Sequence, residues 1–229
     1  YPHLMRVEMP LSTTEPPRDC PRCPRLVALR EELRVAHPDW WNAPVPAWGD
    51  PQAWLVIIGL APGMKGANRT GRAFTGDASG ALLFETLAQV GLSSGRYEAR
   101  PDDTLRLNGA IILNAVKCLP PANKPLGSEI ANCRPFLSAQ LAELPNLSVI
   151  IALGKIAHEA VLRHFGLRLA DHPFAHGAEH ALPGSIRLID TYHPSRQNTN
   201  TGRLTPAMFE AVFRQARALA PQTSSAIRP

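Results

Sequence analysis

Residues 59–80 read Gly-Leu-Ala-Pro-Gly-Met-Lys-Gly-Ala-Asn-Arg-Thr-Gly-Arg-Ala-Phe-Thr-Gly-Asp-Ala-Ser-Gly. Six glycines, three cations (Lys65, Arg69 and Arg72), one aromatic (Phe74) and one carboxylate (Asp77) share this stretch. Glycines let a backbone approach a ligand closely, and the cations favour an anion. A loop of this length inside a compact domain is usually functional. Asp77 is its only acid, and it stands just before Ala78-Ser79-Gly80. It therefore reads as a helix N-cap and also as a carboxylate facing a developing cation or an attacking water. Phe74 offers a face for base stacking, with core filling as the plain alternative.

A second segment runs from Tyr192 to Thr205 and contains His193, Ser195, Arg196, Gln197 and Arg203. His193 follows the apolar run 186–191, so its imidazole should reach a strand end and donate a hydrogen bond to an anionic oxygen. An ordinary hydrogen-bonded loop histidine is the competing reading. It suits His158, His164, His172, His176 and His180 better, because they fall on helices or a loop. Asn114 ends another apolar run, and its amide combines a donor and an acceptor, as reading a base edge requires. Asn123, in Pro-Pro-Ala-Asn-Lys-Pro, either joins the site or makes an Asx-turn. No Gly-Lys-Ser/Thr occurs and no G-x-G-x-x-G opens the first helix, which argues against P-loop and dinucleotide sites.

The four cysteines form one candidate set: Cys20 and Cys23 in Cys-Pro-Arg-Cys, then Cys118 and Cys133. A C-x-x-C pair with two further thiols is a metal or cluster pattern. Buried or redox thiols are the alternative, but no strand precedes the C-x-x-C, unlike a thioredoxin motif. Zinc and a [4Fe-4S] cluster both accept four thiolates. Zinc ribbons use two close pairs, whereas 14 residues separate Cys118 from Cys133, which favours the cluster. Its expected role is scaffolding rather than electron transfer.

The formal net charge is +5, from 24 Lys+Arg against 19 Asp+Glu. That balance does not by itself require nucleic acid, but its placement is informative. Segments 63–76, 114–127 and 191–206 hold Lys65, Arg69, Arg72, Lys117, Lys124, Arg196 and Arg203 and no acid. The remainder has 17 cations against 19 acids, so the whole positive excess lies in three loops. Such segregation suits a phosphate-facing surface.

Four short apolar runs, 54–58, 110–114, 148–153 and 186–191, predict strands, and the first three are almost unbroken apolar, as expected for strands buried on both faces. Helical periodicity covers 24–36 (Leu26, Leu29, Leu33), 80–90 (Leu83, Leu87, Val90) and 155–165 (Ile156, Ala160, Val161). It also covers 206–219, after Thr205 as N-cap and Pro206 at the first position. Residues 128–143 read as a helix that Pro135 kinks or shortens. Alternation of strands and helices predicts an α/β fold with a parallel sheet between helical layers. The basic loops follow the first, second and fourth strands, so they should meet on the rim where open α/β sheets build their sites. A single domain is expected over 19–219, with 1–18 and 220–229 as flexible segments. No apolar run is long enough to span a membrane. The proline-rich start lacks a signal-peptide core, so a cytoplasmic location is expected. The absence of an initiator Met is read as trimming or an incomplete sequence.

At these motifs the chain resembles the uracil-DNA glycosylase superfamily, and within it family 5, the UDGb type. The resemblance rests on Gly59-Leu60-Ala61-Pro62-Gly63, Gly66 to Gly80, Asn114 to Pro125, His193 to Thr205 and the four cysteines. It spans Cys20 to about Leu219. It implies a three-layer α/β/α sandwich around a four-stranded parallel sheet, with a [4Fe-4S] cluster on Cys20, Cys23, Cys118 and Cys133. It implies a monofunctional, monomeric enzyme that flips uracil, and also hypoxanthine, xanthine or other deaminated bases, out of DNA and hydrolyses the N-glycosidic bond. Asp77 would be the catalytic carboxylate, supported by Asn123, and His193 would stabilise the departing base. Gly59, Ala61, Phe74 and Asn114 would contact that base. The 193–205 segment, with Ser195 and Gln197, would enter the duplex, while Arg69, Arg72, Arg196 and Arg203 grip phosphates. Other families place Asp, Glu or Asn before the proline of the first motif, and here that position is Ala61. A non-catalytic DNA-binding module and an iron-sulfur redox protein of the same fold are the competing classes.

Overall fold

The computed structural model describes residues 14–221. Its helices are α1 (Pro24–Ala36), α2 (Ala67–Thr70), α3 (Ala78–Gln89), α4 (Gly127–Ala142), α5 (Lys155–His164), α6 (Arg196–Asn200) and α7 (Pro206–Ala218). Its strands are β1 (Trp48–Gly49), β2 (Leu55–Gly59), β3 (Ser93–Ser94), β4 (Arg106–Leu107), β5 (Ala110–Asn114), β6 (Val149–Leu153), β7 (Glu179–Ala181) and β8 (Arg187–Thr191).

The main sheet has the order β1-β5-β2-β6-β8-β7. Its centre, β5-β2-β6-β8, is parallel throughout, as the four apolar runs predicted. Two short antiparallel strands close its edges, β1 on β5 and β7 on β8. Neither has the apolar length that would announce a strand. Along β2, Leu55 and Ile57 join one core while Val56 and Ile58 join the other, as a pleat with period two dictates. The first core adds Leu83, Phe84 and Leu87 of α3 and Phe209 and Phe213 of α7. The second adds Leu137 and Leu141 of α4 and Ala157, Val161 and Leu162 of α5. This is a three-layer α/β/α sandwich. Each fully buried large side chain contributes roughly 1.5–3 kcal/mol.

Three expectations change. Helix α4 runs unbroken through Pro135. The proline removes one backbone donor, but the face carrying Cys133, Leu137 and Leu141 is buried, and tertiary packing holds the turn. Ile156 is exposed rather than part of the α5 stripe, which buries Ala157, Ala160, Val161 and Leu162 instead. Residues 14–18, expected to be flexible, include a buried Thr14, and Glu15 accepts hydrogen bonds from the Ala47 N–H and the Gln140 amide. Polar anchoring of this kind leaves no periodic signal. The expectations for 1–13 and 222–229 lie outside the described residues.

Candidate active site

Parallel strands end on one side, so Gly59, Asn114 and the end of β8 share a rim. A cleft of ≈ 500 Å³ opens there, lined by Leu60 to Gly63, Phe74, Asp77, Ser79, Asn114, Ala122 to Lys124, His193, Ser195 and Gln197. Segments from the three basic loops meet as the strand order requires. The expected base-contacting and catalytic residues converge on this one cleft.

The floor is built on Gly59, the register partner of Asn114. A Cβ at position 59 would stand 2.6 Å from Asn114 Oδ1 and 2.8 Å from the Phe74 ring, so only glycine lets both side chains close over the strand. Phe74 sits at φ 54°, a left-handed conformation that costs on the order of 1–3 kcal/mol for a non-glycine residue. Its ring is 6.0 Å from that of His193, centroid to centroid. Asn114 is 3% exposed, and among the described residues its Oδ1 has no hydrogen-bond partner. A buried acceptor left unpaired costs roughly 1–3 kcal/mol. The floor thus offers an aromatic face beside an acceptor that lacks a donor.

Asp77 caps α3, its Oδ1 accepting the Gly80 N–H at 3.1 Å. Oδ2 lies against Gly63 and Gly66, and a side chain at position 66 would collide with it. The glycines of the loop therefore make room for this carboxylate. Across the cleft, burial pushes the His193 imidazole below its ordinary pKa, and the Asp77 charge pulls it partly back. A neutral imidazole retains one N–H to donate. Ala122 and Asn123 both adopt positive φ, 52° and 55°, and this strained turn carries exposed Asn123 on the cleft wall.

Two cations of the basic loops are not available to a ligand. Arg72 is 4% exposed and pairs with both carboxylate oxygens of Asp103, at 2.7 and 2.8 Å, so it is no phosphate contact. Its guanidinium also lies 4.7 Å from the centre of the Trp48 ring. Burial works to raise the Asp103 pKa, but hydrogen bonds from Arg72 and from the Glu98 and Leu105 N–H groups outweigh it and bring it down to about 2. Lys117 is fully buried, its Nζ donating to Gln140 Oε1 at 2.5 Å. Lys65, Arg69, Lys124, Arg196 and Arg203 are exposed. The segment after His193 is not an open loop: Ser195 caps α6, its hydroxyl accepting the Asn198 N–H at 3.4 Å.

All four cysteines line one apolar-walled cavity between α1, α4 and the segment after β5, and none is in a disulfide. Burial pushes Cys118 up to about 12 and also raises Cys133 and Cys23. Bare thiolates are therefore disfavoured there, as expected where a bound cation must offset them. The Lys117 N–H donates to Cys133 Sγ at 3.3 Å, and the Asn132 amide to Cys23 Sγ at 3.7 Å, both bonds that favour thiolate sulfur. This donor set fits a tetrathiolate-held metal group.

Sequence reasoning missed the supports. Tyr97 accepts the Gly76 N–H at 3.2 Å, bracing the loop just before Asp77. Asp190, fully buried, bonds His158 at 2.8 Å and His180 at 3.0 Å. These three could ligate a cation by proximity, but hydrogen bonds account for the facing atoms, and the cluster is a brace. An acid inside an otherwise buried strand was its available signal; Tyr97 and Asp103 left none.

The family model of the uracil DNA glycosylase superfamily matches residues 46–217. The type-5 uracil-DNA glycosylase of Thermus thermophilus is 51% identical over 206 residues, covering 88% of this chain and 94% of that protein. The type-5 uracil-DNA glycosylase of Pyrobaculum aerophilum is 42% identical over 204 residues, 87% of this chain and 88% of that protein. The type-4 uracil-DNA glycosylase of Archaeoglobus fulgidus is 31% identical over 156 residues, 66% of this chain and 70% of that protein.

Proposed function

The chain belongs to the uracil DNA glycosylase superfamily, and from that premise we propose that it excises uracil from DNA. It is a DNA-repair hydrolase acting on the N-glycosidic bond. The observation that carries the assignment to this cleft is its floor, where the Phe74 ring lies beside the unpaired, buried Oδ1 of Asn114. A flipped uracil stacks on Phe74 and donates its ring N–H to Asn114.

Extruding the base costs a few kcal/mol. Bond cleavage then places positive charge on the sugar and negative charge on the base. His193, half-buried and with its pKa lowered by desolvation, donates to the departing base oxygen. Asp77 stabilises the cationic sugar and positions the water, with Asn123 helping to hold that water. Ala61 lines the cleft without a polar side chain, so this work falls to Asp77. Exposed Arg69, Arg196 and Arg203 hold phosphates, and α6, with Ser195 and Gln197, meets the duplex. Arg72 is excluded by its pairing with Asp103. The same floor admits other deaminated bases such as hypoxanthine and xanthine.

A [4Fe-4S] cluster is the proposed occupant of the cysteine cavity, held by Cys20, Cys23, Cys118 and Cys133, with zinc as the alternative. It supplies a structural tie between the N-terminal segment and the loop after β5. Thiolate ligands suit a reducing cytoplasm, where we place the protein as a monomer. Among the described residues no helix is long and apolar enough to cross a membrane.

The test is release of the base from a duplex carrying one uracil, read as an alkali-labile abasic site under single-turnover conditions. Excision by the wild-type protein is expected, and failure to release uracil overturns the reading. Duplexes with hypoxanthine, xanthine or a thymine mismatch define the range.

A further inference from the structure

His193 carries the proposed contact to the departing base, and the chain is held just before it, at Tyr192, and at its own carbonyl. Upstream, His176 Nδ1 lies 3.3 Å from the Tyr192 backbone nitrogen. An amide N–H only donates, so Nδ1 of His176 must carry its lone pair. The His176 ring also stacks on Tyr192, with centroids 5.1 Å apart and planes 21° apart. Downstream, the Asn198 side-chain amide donates to the His193 carbonyl at 2.8 Å. Pro194 follows, which confines the His193 backbone to extended conformations. Behind the residue, Gly154 leaves its open face towards His193, where an added Cβ would just touch His193 Cβ at 3.5 Å.

We propose that His176 and Asn198 are positioning residues for His193, holding the 191–192 peptide one residue before it and its own carbonyl after it, and so setting where its imidazole meets the leaving base. Neither touches the base. The inference rests on the reading of His193 as the donor to that base. The two anchors come from different elements. His176 precedes β7, in the segment that Asp190 also grips through His180 and the Ala175 N–H. Asn198 lies on α6, beside exposed Arg196, so duplex contact at α6 reaches His193 through one hydrogen bond. Burial lowers the His176 pKa, and its bond to the Met208 backbone works the other way.

The experiment compares His176→Ala and Asn198→Leu with the wild-type holoprotein. Single-turnover uracil excision at saturating DNA should fall roughly 10- to 100-fold, the cost of a misplaced reacting group. DNA affinity and melting temperature should stay close to wild type. The His193 imidazole signals, observed by NMR on histidine-labelled protein, should move, and their titration midpoint should rise towards the ordinary value. His176→Asn offers its Oδ1 to the Tyr192 N–H in the place of Nδ1 and should recover most of the rate. Unmoved His193 signals in both variants, or a rate loss explained wholly by weaker DNA binding, overturn the clamp. Should the wild-type protein release no uracil while the variants still move the His193 signals, the functional reading fails and the clamp stands.

Discussion

Asp77 does two things with two oxygens, and substitution can separate them. Oδ1 caps α3 while Oδ2 lies in the glycine-lined pocket. Asn caps helices as well as Asp does. Asp77→Asn should therefore keep the melting temperature and DNA binding but lose about 10²-fold or more in single-turnover excision. Asp77→Ala should lose the same rate and, in addition, about 1 kcal/mol of stability from the missing cap. Full activity in Asp77→Ala would refute the assignment. Asn114 makes the opposite trade. Its buried acceptor has no partner among the described residues, so Asn114→Leu should hold or raise thermal stability while uracil release collapses. A drop in stability with excision intact would show that Asn114 serves the fold instead. Residue types and order made both side chains legible in the sequence. The unpaired state of the Asn114 oxygen was not legible, because it depends on what surrounds it.

Cations that look alike in the sequence divide by the element that carries them. Arg72 follows α2 and is drawn inward to Asp103 and Trp48, whereas Arg196 on α6 and Arg203 after it remain exposed. Breaking a buried pair strands the remaining charge, so Arg72→Ala should cost about 3–5 kcal/mol in urea unfolding. It should leave the salt dependence of DNA binding unchanged. Arg196→Ala and Arg203→Ala should do the reverse, weakening binding and reducing the slope of log affinity against log salt by about 1 each. An unchanged slope in both would remove α6 and its following turn from the DNA interface. The four central strands and the sandwich were readable from apolar runs. The path of α4 through Pro135 and the two edge strands were not, because packing rather than local propensity decides them.

At the scale of the molecule, the cysteine cavity joins the N-terminal segment to mid-chain segments far from it in sequence. Cys118→Ser should lose visible absorbance, iron and sulfide, and lower the melting temperature. A colourless wild-type protein holding zinc would replace the cluster with the alternative metal. Between about pH 8 and pH 5 the response of stability to acid follows from histidines. Burial lowers the pKa of His164, His176 and His193, so the unfolded chain binds more protons than the folded one below about pH 6.5. Their contribution to stability is complete above that value and is lost as pH falls through the lowered folded values. The urea midpoint should therefore be higher at about pH 8 than at about pH 5 with the metal group intact. A flat profile would contradict the burial of these rings.

The sequence by itself determined the four central strands of the sheet, the rim and the chemical types gathered on it. Apolar periodicity and the placement of Asp77, Asn114 and His193 at element ends are local properties, and parallel strands bring their following loops to one side. Tertiary structure alone decided which charges face a ligand. Arg69 and Arg72 lie three residues apart in one segment, yet one is exposed and the other is buried against Asp103, 31 positions along the chain. A cation's availability depends on the partner that folding brings to it, and no spacing within the loop records that partner.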